Sequence, residues 1–497
     1  MVKGNIVKLY KGKKINSWTL VSKLGAGGNG EVWKCRNANN EFYAIKCFKY
    51  GRYSACYARF LDEVKFMEQY HNIHGVLPII DKFLPTKNQR KVSPNIPLYY
   101  VMPLATPIDR IKQIPLDDRI NVIRQLLHML VTLHQNGIAH RDIKPANILF
   151  YNGEYVLSDF GLVYFNKKKF KTPHGTKLGA KRTISPQMER DASNADKFKA
   201  DVYSMAKTIW MILTGDDFSF EGQYIANSEF GLSRKISCDK YLYPLDKLLA
   251  QSTDYSESSR PTAEELEQKF EEWIQINSNW HKENLMQWQE MQEQLFPTVI
   301  PVHAEWNDTE DIVAVLRLAG KYRSQNHMFF PDGGGLDLTG AAISYEKGCI
   351  ELICESQVYI VKPRRLLFEY INEEIGWNYL FLETEKLQPV TSNLPSDFIM
   401  EEVCEVAPLQ YKLLEILDNM TKSDYDMIKP RHICRYLEGS FVFFHKDSLY
   451  NHFVSQYKGE HYKLGAEKFR YVIMHIAENN RGMNMENVLQ NNQVQEV

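Results

Sequence analysis

Residues 140–161 read HRDIKPANILFYNGEYVLSDFG, and the interpretation of the whole chain starts from their side chains. Asp142 is a carboxylate that can accept a proton from a hydroxyl group. Lys144 follows two residues later and can neutralise charge on the same side. Asn147 and Asp159 offer the hard oxygen ligands that Mg²⁺ prefers. A proton acceptor, a cation and two metal ligands are thus expected to lie close together.

These groups suit the transfer of a phosphoryl group from ATP to a hydroxyl, because that reaction depends on positioning and charge stabilisation. Asp142 would orient the attacking hydroxyl, and Lys144 would stabilise the transferring group. Asn147 and Asp159 would hold Mg²⁺. A lone HRD tripeptide arises by chance, but HRDxKxxN followed by DFG is highly specific. The alternative explanation, a polar turn between two strands, is therefore disfavoured.

A glycine-rich segment lies upstream, where residues 24–32 read LGAGGNGEV. Glycine lets the backbone approach phosphates closely and adopt positive φ. A dinucleotide-binding turn shares this pattern but opens directly into a helix. Here the strand-like runs 32–35 and 41–46 follow, with a turn between them. This order predicts a loop that covers ATP. The predicted nucleotide contacts in the segment are Leu24, Gly25, Gly27, Gly30 and Val32.

Lys46 ends the second of these strands and is predicted to hold the α- and β-phosphates of ATP. The helical stretch 59–67 supplies a carboxylate, Glu63, at a separation that allows a turn and about two helical turns. We predict that Lys46 pairs with Glu63, since Asp62 should point to another face of the helix. For an isolated lysine and glutamate, two solvated surface charges would be the better explanation.

Residues 18–278 resemble the eukaryotic-like serine/threonine protein kinases, a family that bacteria also contain. Lys144 after the catalytic aspartate resembles the serine/threonine branch. Asp201 lies in a run that resembles the buried helix of the large lobe, and Arg260 lies in the RPT sequence of the family. The resemblance implies an α+β, two-lobed protein-kinase-like fold with ATP between the lobes. A separate α+β module with antiparallel strands is expected to follow.

The resemblance also assigns roles to residues along the cleft. Met102 is expected at the gatekeeper position, and Ala105 is expected to offer its backbone N–H to adenine. The residues expected to sandwich the adenine ring are Val32, Ala44 and Leu149. The residues expected to stack through the core of an active enzyme are Met67, His140 and Phe160.

Two positions depart from the family pattern. Gln187 stands where a glutamate usually pairs with Arg260, and it can hydrogen-bond that arginine without bringing a charge. Glu189 could take the same place if the backbone shifts. Ala180 stands where a threonine that touches the catalytic aspartate is expected.

The stretch 159–187 is expected to be the activation loop. Thr172 and Thr176 are the candidate phosphorylation sites, because a phosphate on this loop could pair with Arg141 through charge-assisted hydrogen bonds. For each threonine taken alone, a solvated loop hydroxyl is an equally good explanation. The basic run 167–169 belongs to the same loop.

Composition favours a soluble enzyme. The chain has 497 residues and a formal net charge of −1, so no bulk electrostatic field attracts nucleic acid or membrane. No apolar run approaches the length of a membrane-spanning helix, and the first residues lack the apolar core of a signal peptide. Eight cysteines without a CxxC pair are typical of reduced cytosolic thiols. We therefore expect a cytoplasmic protein with no membrane and no direct nucleic-acid partner.

We predict five segments along the chain: a small lobe with the glycine-rich loop (1–103), a large helical lobe (104–278), a helical linker (279–304), an α+β regulatory or docking domain (305–480) and a flexible polar tail (481–497). The linker helix is expected to dock on the kinase lobe in preference to a partner protein. The basic cluster 362–365 is expected to be a solvated turn. Helices are expected at 409–420 and 465–478, and strands at 349–354, 357–361, 366–370 and 379–383.

Residues 305–480 resemble no known family, so a sensing, regulatory or docking role is expected only by analogy with other kinases. The expected partners are protein substrates, together with an activating signal or partner that acts through these residues. The main alternative function is a non-catalytic kinase-like scaffold. Such scaffolds usually lose at least one catalytic residue. The five that this chain retains are Lys46, Glu63, Asp142, Asn147 and Asp159.

Overall fold

The computed structural model describes residues 7–27, 30–48, 55–84, 96–108, 113–166, 168, 172–330, 334–344, 346–354, 357–372, 375–387, 409–413, 432–436, 439–451 and 464–482. The chain divides into two compact units, Met1–Gln275 and Ile276–Val497. Among the helices in these ranges, none is long and apolar enough to cross a membrane.

The first unit begins with a six-stranded sheet whose neighbouring strands all run antiparallel. The spatial order is β1-β2-β3-β4-β6-β5. The strands are β1 (Lys14–Ile15), β2 (Trp18–Gly27), β3 (Gly30–Arg36), β4 (Phe42–Cys47), β5 (Asp81–Phe83) and β6 (Tyr99–Pro103). Helix α1 (Ala55–Gln69) follows β4.

Alternation along the strands gives this sheet two different faces. Trp33 and Ile45 lie in one apolar cluster with Trp18 and Val101. The residues that alternate with them in β4, Ala44 and Lys46, lie on the opposite face. That face lines the cleft. Because successive side chains of a strand point to opposite faces, β4 contributes both an apolar and a cationic side chain to the site.

The rest of the first unit is mainly helical. The helices in its described part are α2 (Leu116–Gln135), α3 (Pro186–Asp191), α4 (Lys197–Thr214), α5 (Leu232–Lys235), α6 (Tyr243–Ser252) and α7 (Ala263–Ser278), the last of which extends three residues past the boundary at Gln275. A small sheet is formed by β7 (Thr106–Pro107), β8 (Ile148–Tyr151) and β9 (Glu154–Leu157), and its last two strands lie within the stretch 140–161. The expected two-lobed arrangement is therefore present.

Helix α4 is the central element of the large lobe. It is apolar on nearly all sides and almost completely buried, which is typical of a helix in the middle of a core. Asp196 caps its N-terminus by accepting hydrogen bonds from the backbone of Phe198 and Lys199. Gly215 ends it in the left-handed conformation, with φ of 73°.

The second unit contains a nine-stranded sheet. Its strands are β10 (His303–Trp306), β11 (His327–Phe329), β12 (Gly335–Ile343), β13 (Ile350–Cys354), β14 (Gln357–Glu369), β15 (Tyr379–Glu385), β16 (Leu409–Leu413), β17 (His432–Tyr436) and β18 (Ser440–Phe443). The pairings form a closed circuit through six of these strands (β11, β12, β13, β14, β15 and β18), so the module is barrel-like. All pairs are antiparallel except β14 with β17.

In the described part of this unit there are three helices: α8 (Trp280–Leu295), α9 (Thr309–Ala319) and α10 (Ala466–Asn479). Trp288 and Met291 of α8 are fully buried in one core cluster with α9 and the sheet. Asn284 donates to Asp447 at 2.6 Å. The expectation that this helix docks on the kinase lobe is therefore wrong, because its apolar stripe is covered by the module that follows it.

Two other local predictions are wrong. The basic cluster at 362–365 is not a turn, because β14 continues through it with a bulge between Pro363 and Arg365. Arg365 is neutralised by Glu383 on the neighbouring strand, at 2.7 Å. Residues 409–413 form strand β16, not the start of a helix. The remainder of that predicted helix, 414–420, and the tail beyond 482 lie outside the described residues.

Candidate active site

Lys46 lies at the centre of the cleft. Its Nζ is 2.6 Å from Glu63 Oε1 and 2.8 Å from Asp159 Oδ1. Burial by itself would lower the pKa of Lys46, but the carboxylates of Asp159 and Glu63 outweigh this effect and raise its pKa well above the ordinary value. The ammonium group therefore stays charged. The structure places Lys46 beside Glu63, as the spacing predicts.

A tyrosine that sequence reasoning missed joins this group. Tyr100 in β6 donates its hydroxyl hydrogen to Glu63 Oε1 at 2.9 Å. Tyr100 and Lys46 are direct cross-strand partners in the β4–β6 pair. The sequence shows two adjacent tyrosines in β6, Tyr99 and Tyr100, and only the strand register determines which of them faces Lys46.

Asp159 begins the DFG sequence in a left-handed backbone conformation, with φ of 62° and ψ of 68°. Aspartate tolerates this region better than most residues because its short side chain can bond locally. The Lys46 ammonium, which outweighs the opposite effect of burial, lowers the pKa of the Asp159 carboxyl to about 2. One oxygen of an ionised carboxylate faces Lys46, which leaves the other for a cation.

Asp142 is buried and held by two neighbours. Lys144 Nζ lies 2.7 Å from Asp142 Oδ2. Asn147 Nδ2 donates to the same oxygen at 3.0 Å and to the Asp142 carbonyl at 2.8 Å. Since the amide nitrogen of Asn147 is used in this way, its side-chain oxygen is the atom that could face a metal ion.

Asp201 of α4 holds the backbone of the loop that precedes Asp142. Its fully buried carboxylate accepts the backbone N–H of His140 at 2.6 Å and that of Arg141 at 2.7 Å. Arg141 has φ of 69°, in the left-handed region that is unfavourable for residues other than glycine. Two charge-assisted hydrogen bonds thus stabilise a strained loop directly before Asp142.

A cavity of about 480 Å³ opens between the two lobes. Its size and mixed apolar and polar lining suit a nucleotide. The cleft residues predicted from the sequence that line it are Leu24, Gly25, Gly30, Val32, Ala44, Lys46, Glu63, Met67, Met102, Ala105, Lys144, Asn147, Leu149, Asp159 and Phe160. Gly27 lies in β2 and pairs with Gly30.

Gly30 has a specific steric reason to be glycine. A Cβ atom at this position would lie 2.3 Å from the carbonyl oxygen of Cys47. No side chain can be accommodated so close to backbone, so β3 and β4 can approach each other here only with glycine. The donors and the space fit a nucleotide with a divalent cation: an ammonium, two oxygen ligands and a backbone cradle.

Aromatic packing behind the cleft involves one residue more than predicted. The rings of His140 and Phe160 lie 4.9 Å apart. Phe66, which the sequence analysis did not single out, lies 4.6 Å from Phe160 and is fully buried. Met67 lines the cavity together with Phe160. Helix α1 therefore packs against the DFG phenylalanine through Phe66, while the next residue, Met67, faces the cavity.

The two candidate phosphorylation sites have different surroundings. Thr172 Oγ1 lies 3.1 Å from Arg141 Nη2, so the predicted pair is in contact before any phosphate is added. Thr176 is anchored instead through its backbone carbonyl, which accepts from the Ala192 N–H at 2.9 Å. Of the basic run, only Lys168 lies within the described residues.

The family departures are accommodated by neighbouring groups. Arg260 Nη2 donates to Gln187 Oε1 at 2.8 Å, so the neutral side chain does take the place of a carboxylate. Ala180 has no hydroxyl, so it cannot make the contact expected of a threonine at this position. Thr183, three residues later, donates to the Ile143 carbonyl at 2.7 Å and ties this segment to the catalytic loop.

Comparison with known proteins agrees with this geometry. The protein kinase domain family matches residues 18–274. PknL of Mycobacterium tuberculosis, a serine/threonine-protein kinase, is 41% identical over 95 residues, which are 19% of this chain and 23% of PknL. Drp72 of Corynebacterium efficiens, named among serine/threonine-protein kinases, is 28% identical over 211 residues, 40% of this chain and 39% of drp72.

The mimivirus protein R436 of Acanthamoeba polyphaga mimivirus is 30% identical over 154 residues, which are 30% of this chain and 55% of R436. The chain therefore spans little more than half, or less, of the length of these relatives. The family match, residues 18–274, lies within the first unit, which contains the cleft.

Proposed function

The chain belongs to the protein kinase family, and from that premise we propose that it transfers the γ-phosphoryl group of ATP to serine or threonine hydroxyls of proteins. The observation that carries this proposal is the convergence of Lys46, Lys144 and Asp159 on one cleft of nucleotide size, with Asp142 held 2.7 Å from the Lys144 ammonium. The named relatives PknL and drp72 are serine/threonine-protein kinases, which supports the same acceptor class.

In this proposal each residue has the role that the family resemblance predicts, and the contacts in the cleft support it. Lys46, fixed by Glu63, binds the α- and β-phosphates. The backbone of Gly25 and Gly30 covers the phosphates, while Ala44 and Leu149 enclose the adenine ring. Met102 lies at the gatekeeper position, and the Ala105 N–H is the donor to adenine.

The Asp142 carboxylate accepts the proton of the substrate hydroxyl and orients its oxygen toward the γ-phosphate. Lys144, already within 2.7 Å of Asp142, stabilises the negative charge of the transferring group. Asn147 and Asp159 hold Mg²⁺ through oxygen atoms. The metal ion neutralises charge on the phosphate oxygens when bound.

We expect the enzyme to phosphorylate itself as well as other proteins, and Thr172 is the favoured site over Thr176. A phosphate on Thr172 would lie beside Arg141, whose guanidinium is already directed at the hydroxyl oxygen. Residues 305–480 would sense a signal or dock a substrate or partner. Support for a role of their own is that they belong to a separate compact unit with its own core. We also expect a cytoplasmic location.

The test is incubation of the full chain with labelled ATP and Mg²⁺, followed by identification of the labelled amino acids. The wild type is expected to label itself on threonine or serine, and Asp159→Ala is expected to abolish labelling. Asp118→Asn is the matched control, because Asp118 lies exposed on α2, outside the residues that line the cavity.

If the wild type and Asp159→Ala incorporate equally little label, the non-catalytic scaffold becomes the better explanation. If label appears only on added small molecules, the protein acceptor class is wrong. Mass spectrometry of the labelled chain then decides between Thr172 and Thr176.

A further inference from the structure

Tyr100 is a side chain of the cleft to which the proposed function assigns no role. It is 2% exposed, and its ring packs against Phe60 of α1 with centroids 5.7 Å apart. Its hydroxyl donates to Glu63 Oε1 at 2.9 Å, the same oxygen that lies 2.6 Å from Lys46 Nζ. The hydroxyl of Tyr100 therefore binds the carboxylate of the Lys46–Glu63 ion pair.

The register of the sheet explains why the hydroxyl reaches this place. Tyr100 and Lys46 are directly opposite in the antiparallel pair β4–β6, so both side chains project on the same face. Helix α1 lies over that face and brings Glu63 between them. Because β4 and β6 are hydrogen-bonded to each other, the two donors have a fixed separation, and Glu63 bridges them.

Glu63 needs this second donor for a physical reason. Its carboxylate is fully buried, and among the described residues its Oε2 atom has no hydrogen-bond partner. The charged and titratable groups that face it are Lys46 from β4, Asp159 from the DFG sequence and Tyr100 from β6. Asp159 repels Glu63 and also competes for Lys46. Without Tyr100, a buried carboxylate would depend on a lysine shared with a second anion.

We propose that Tyr100 is a positioning residue for phosphoryl transfer: its hydroxyl fixes Glu63, and through Glu63 it fixes the Lys46 ammonium toward the phosphates of ATP. This inference rests on the proposed function, since Lys46 must bind phosphates for the position to matter. It also means that α1 is anchored to the sheet by a contact that needs no nucleotide.

The chain offers a matched control at the neighbouring position. Tyr99 is 1% exposed and lies in the same strand, but its side chain projects on the other face of the sheet. Its hydroxyl lies 3.2 Å from the carboxylate of Asp81. Tyr99→Phe and Tyr100→Phe therefore each remove one hydroxyl that is bonded to a carboxylate. The Tyr99 hydroxyl also accepts from Asn16 Nδ2 at 2.9 Å, so Tyr99→Phe loses at least as many hydrogen bonds as Tyr100→Phe.

The experiment measures kcat and KM for ATP, with a fixed protein acceptor, for the full chain and both variants. Loss of a hydrogen bond to a charged group predicts a fall in kcat/KM of roughly 10-fold for Tyr100→Phe, expressed mainly in KM for ATP. Tyr99→Phe should keep kcat/KM within about 2-fold of the wild type while losing similar thermal stability.

A pH profile separates positioning from general stabilisation. The hydrogen bond from Tyr100 favours the ionised form of Glu63 and so opposes the rise in its pKa that burial causes. Without the bond, Glu63 takes up a proton at higher pH. The low-pH limb of kcat/KM should move to higher pH in Tyr100→Phe and stay in place in Tyr99→Phe.

Wild-type kcat/KM and an unshifted profile in Tyr100→Phe would overturn the positioning role and leave the kinase proposal intact. Equal losses in the two variants would also overturn it, because a purely structural effect would explain both. If the wild type transfers no phosphoryl group, the proposed function fails first, and the positioning role falls with it.

Discussion

Replacement of Asp201 by asparagine tests how the large lobe holds the catalytic loop. Asp201 is fully buried and accepts the two successive backbone N–H groups of His140 and Arg141. The second of these residues is in the left-handed region at φ 69°. Asparagine has nearly the same shape, so the substitution changes charge and hydrogen-bond direction while it leaves packing almost unchanged.

The expected magnitude follows from these contacts. The two N–H groups bond different oxygens of Asp201, and asparagine has only one acceptor oxygen. One bond to a charged acceptor (about 1.5–3 kcal/mol) therefore becomes a neutral one (about 0.5–1.5 kcal/mol) and the other is lost, which together costs roughly 3 kcal/mol. The strain at Arg141, about 1–2 kcal/mol, is then less well opposed. The new amide N–H must also turn toward His134, whose Nε2 lies 3.3 Å from the present carboxylate oxygen. We expect a total loss of about 2–4 kcal/mol in the free energy of unfolding.

The assay is urea unfolding followed by tryptophan fluorescence, since Trp210 is fully buried in the same helix. Phosphoryl transfer is measured at urea concentrations below the unfolding transition, where the chain remains folded. A shift of about 1 Å in the loop can lower the rate by about 100-fold, so activity should fall more than stability.

Asp196→Asn provides the control. Asp196 caps the same helix and also accepts two backbone N–H groups, at 2.9 and 3.2 Å. It is exposed, and asparagine caps helices about as well as aspartate. This variant should retain wild-type activity and lose less than about 0.5 kcal/mol. A loss in Asp201→Asn no larger than that of the control would refute the reasoning.

Three further predictions concern single positions. Gly30→Ala should weaken nucleotide binding and lower the free energy of unfolding, each by about 2 kcal/mol or more, because the new Cβ would collide with the Cys47 carbonyl. Isothermal titration calorimetry with ATP and Mg²⁺ measures the first effect, and thermal unfolding measures the second. Burial lowers the pKa of Lys207 to about 8, whereas the unfolded lysine titrates at 10.5. Between these pH values only the unfolded chain keeps the proton, so the free energy of unfolding of the wild type should rise as pH increases from 8 toward 10.5. Lys207→Met should remove that rise and stabilise the fold by about 1–2 kcal/mol at pH 7, even though the hydrogen bond to the Phe220 carbonyl is lost. Urea unfolding at pH 7, 8.5 and 10 checks the sign, and a steeper rise in the variant would contradict it. Trp288→Ala should destabilise the second unit by about 3–5 kcal/mol through a large cavity, visible as a separate thermal transition at lower temperature.

Those contacts of the cleft that depend only on the spacing of residues along the chain could be predicted from the sequence. Lys46 and Glu63 meet because a strand and a helix of known rise separate them, and the catalytic stretch is nearly continuous. Tyr100 could not be found in this way. Its contact with Glu63 depends on which residue of β6 faces Lys46 across the sheet, and register is a tertiary property.

The second unit shows where local patterns are ambiguous. Leu409, Tyr411 and Leu413 alternate with polar residues, but the run is too short to separate a strand from a helix by period alone. The cluster at 362–365 contains a proline and three cations, a composition typical of turns. In the structure a bulge accommodates the proline, and acidic residues on adjacent strands, among them Glu305 and Glu383, balance the cations.

The burial of α8 within the second unit affects how the first unit can be isolated. A fragment that ends after Leu295 would carry a helix whose Trp288 and Met291 have lost their covering sheet, and two large apolar side chains exposed together favour self-association. A fragment that ends at Ser278 avoids this surface. We expect the shorter piece to remain monodisperse and the longer one to elute as oligomers, so any effect attributed to the missing module should first be checked against aggregation.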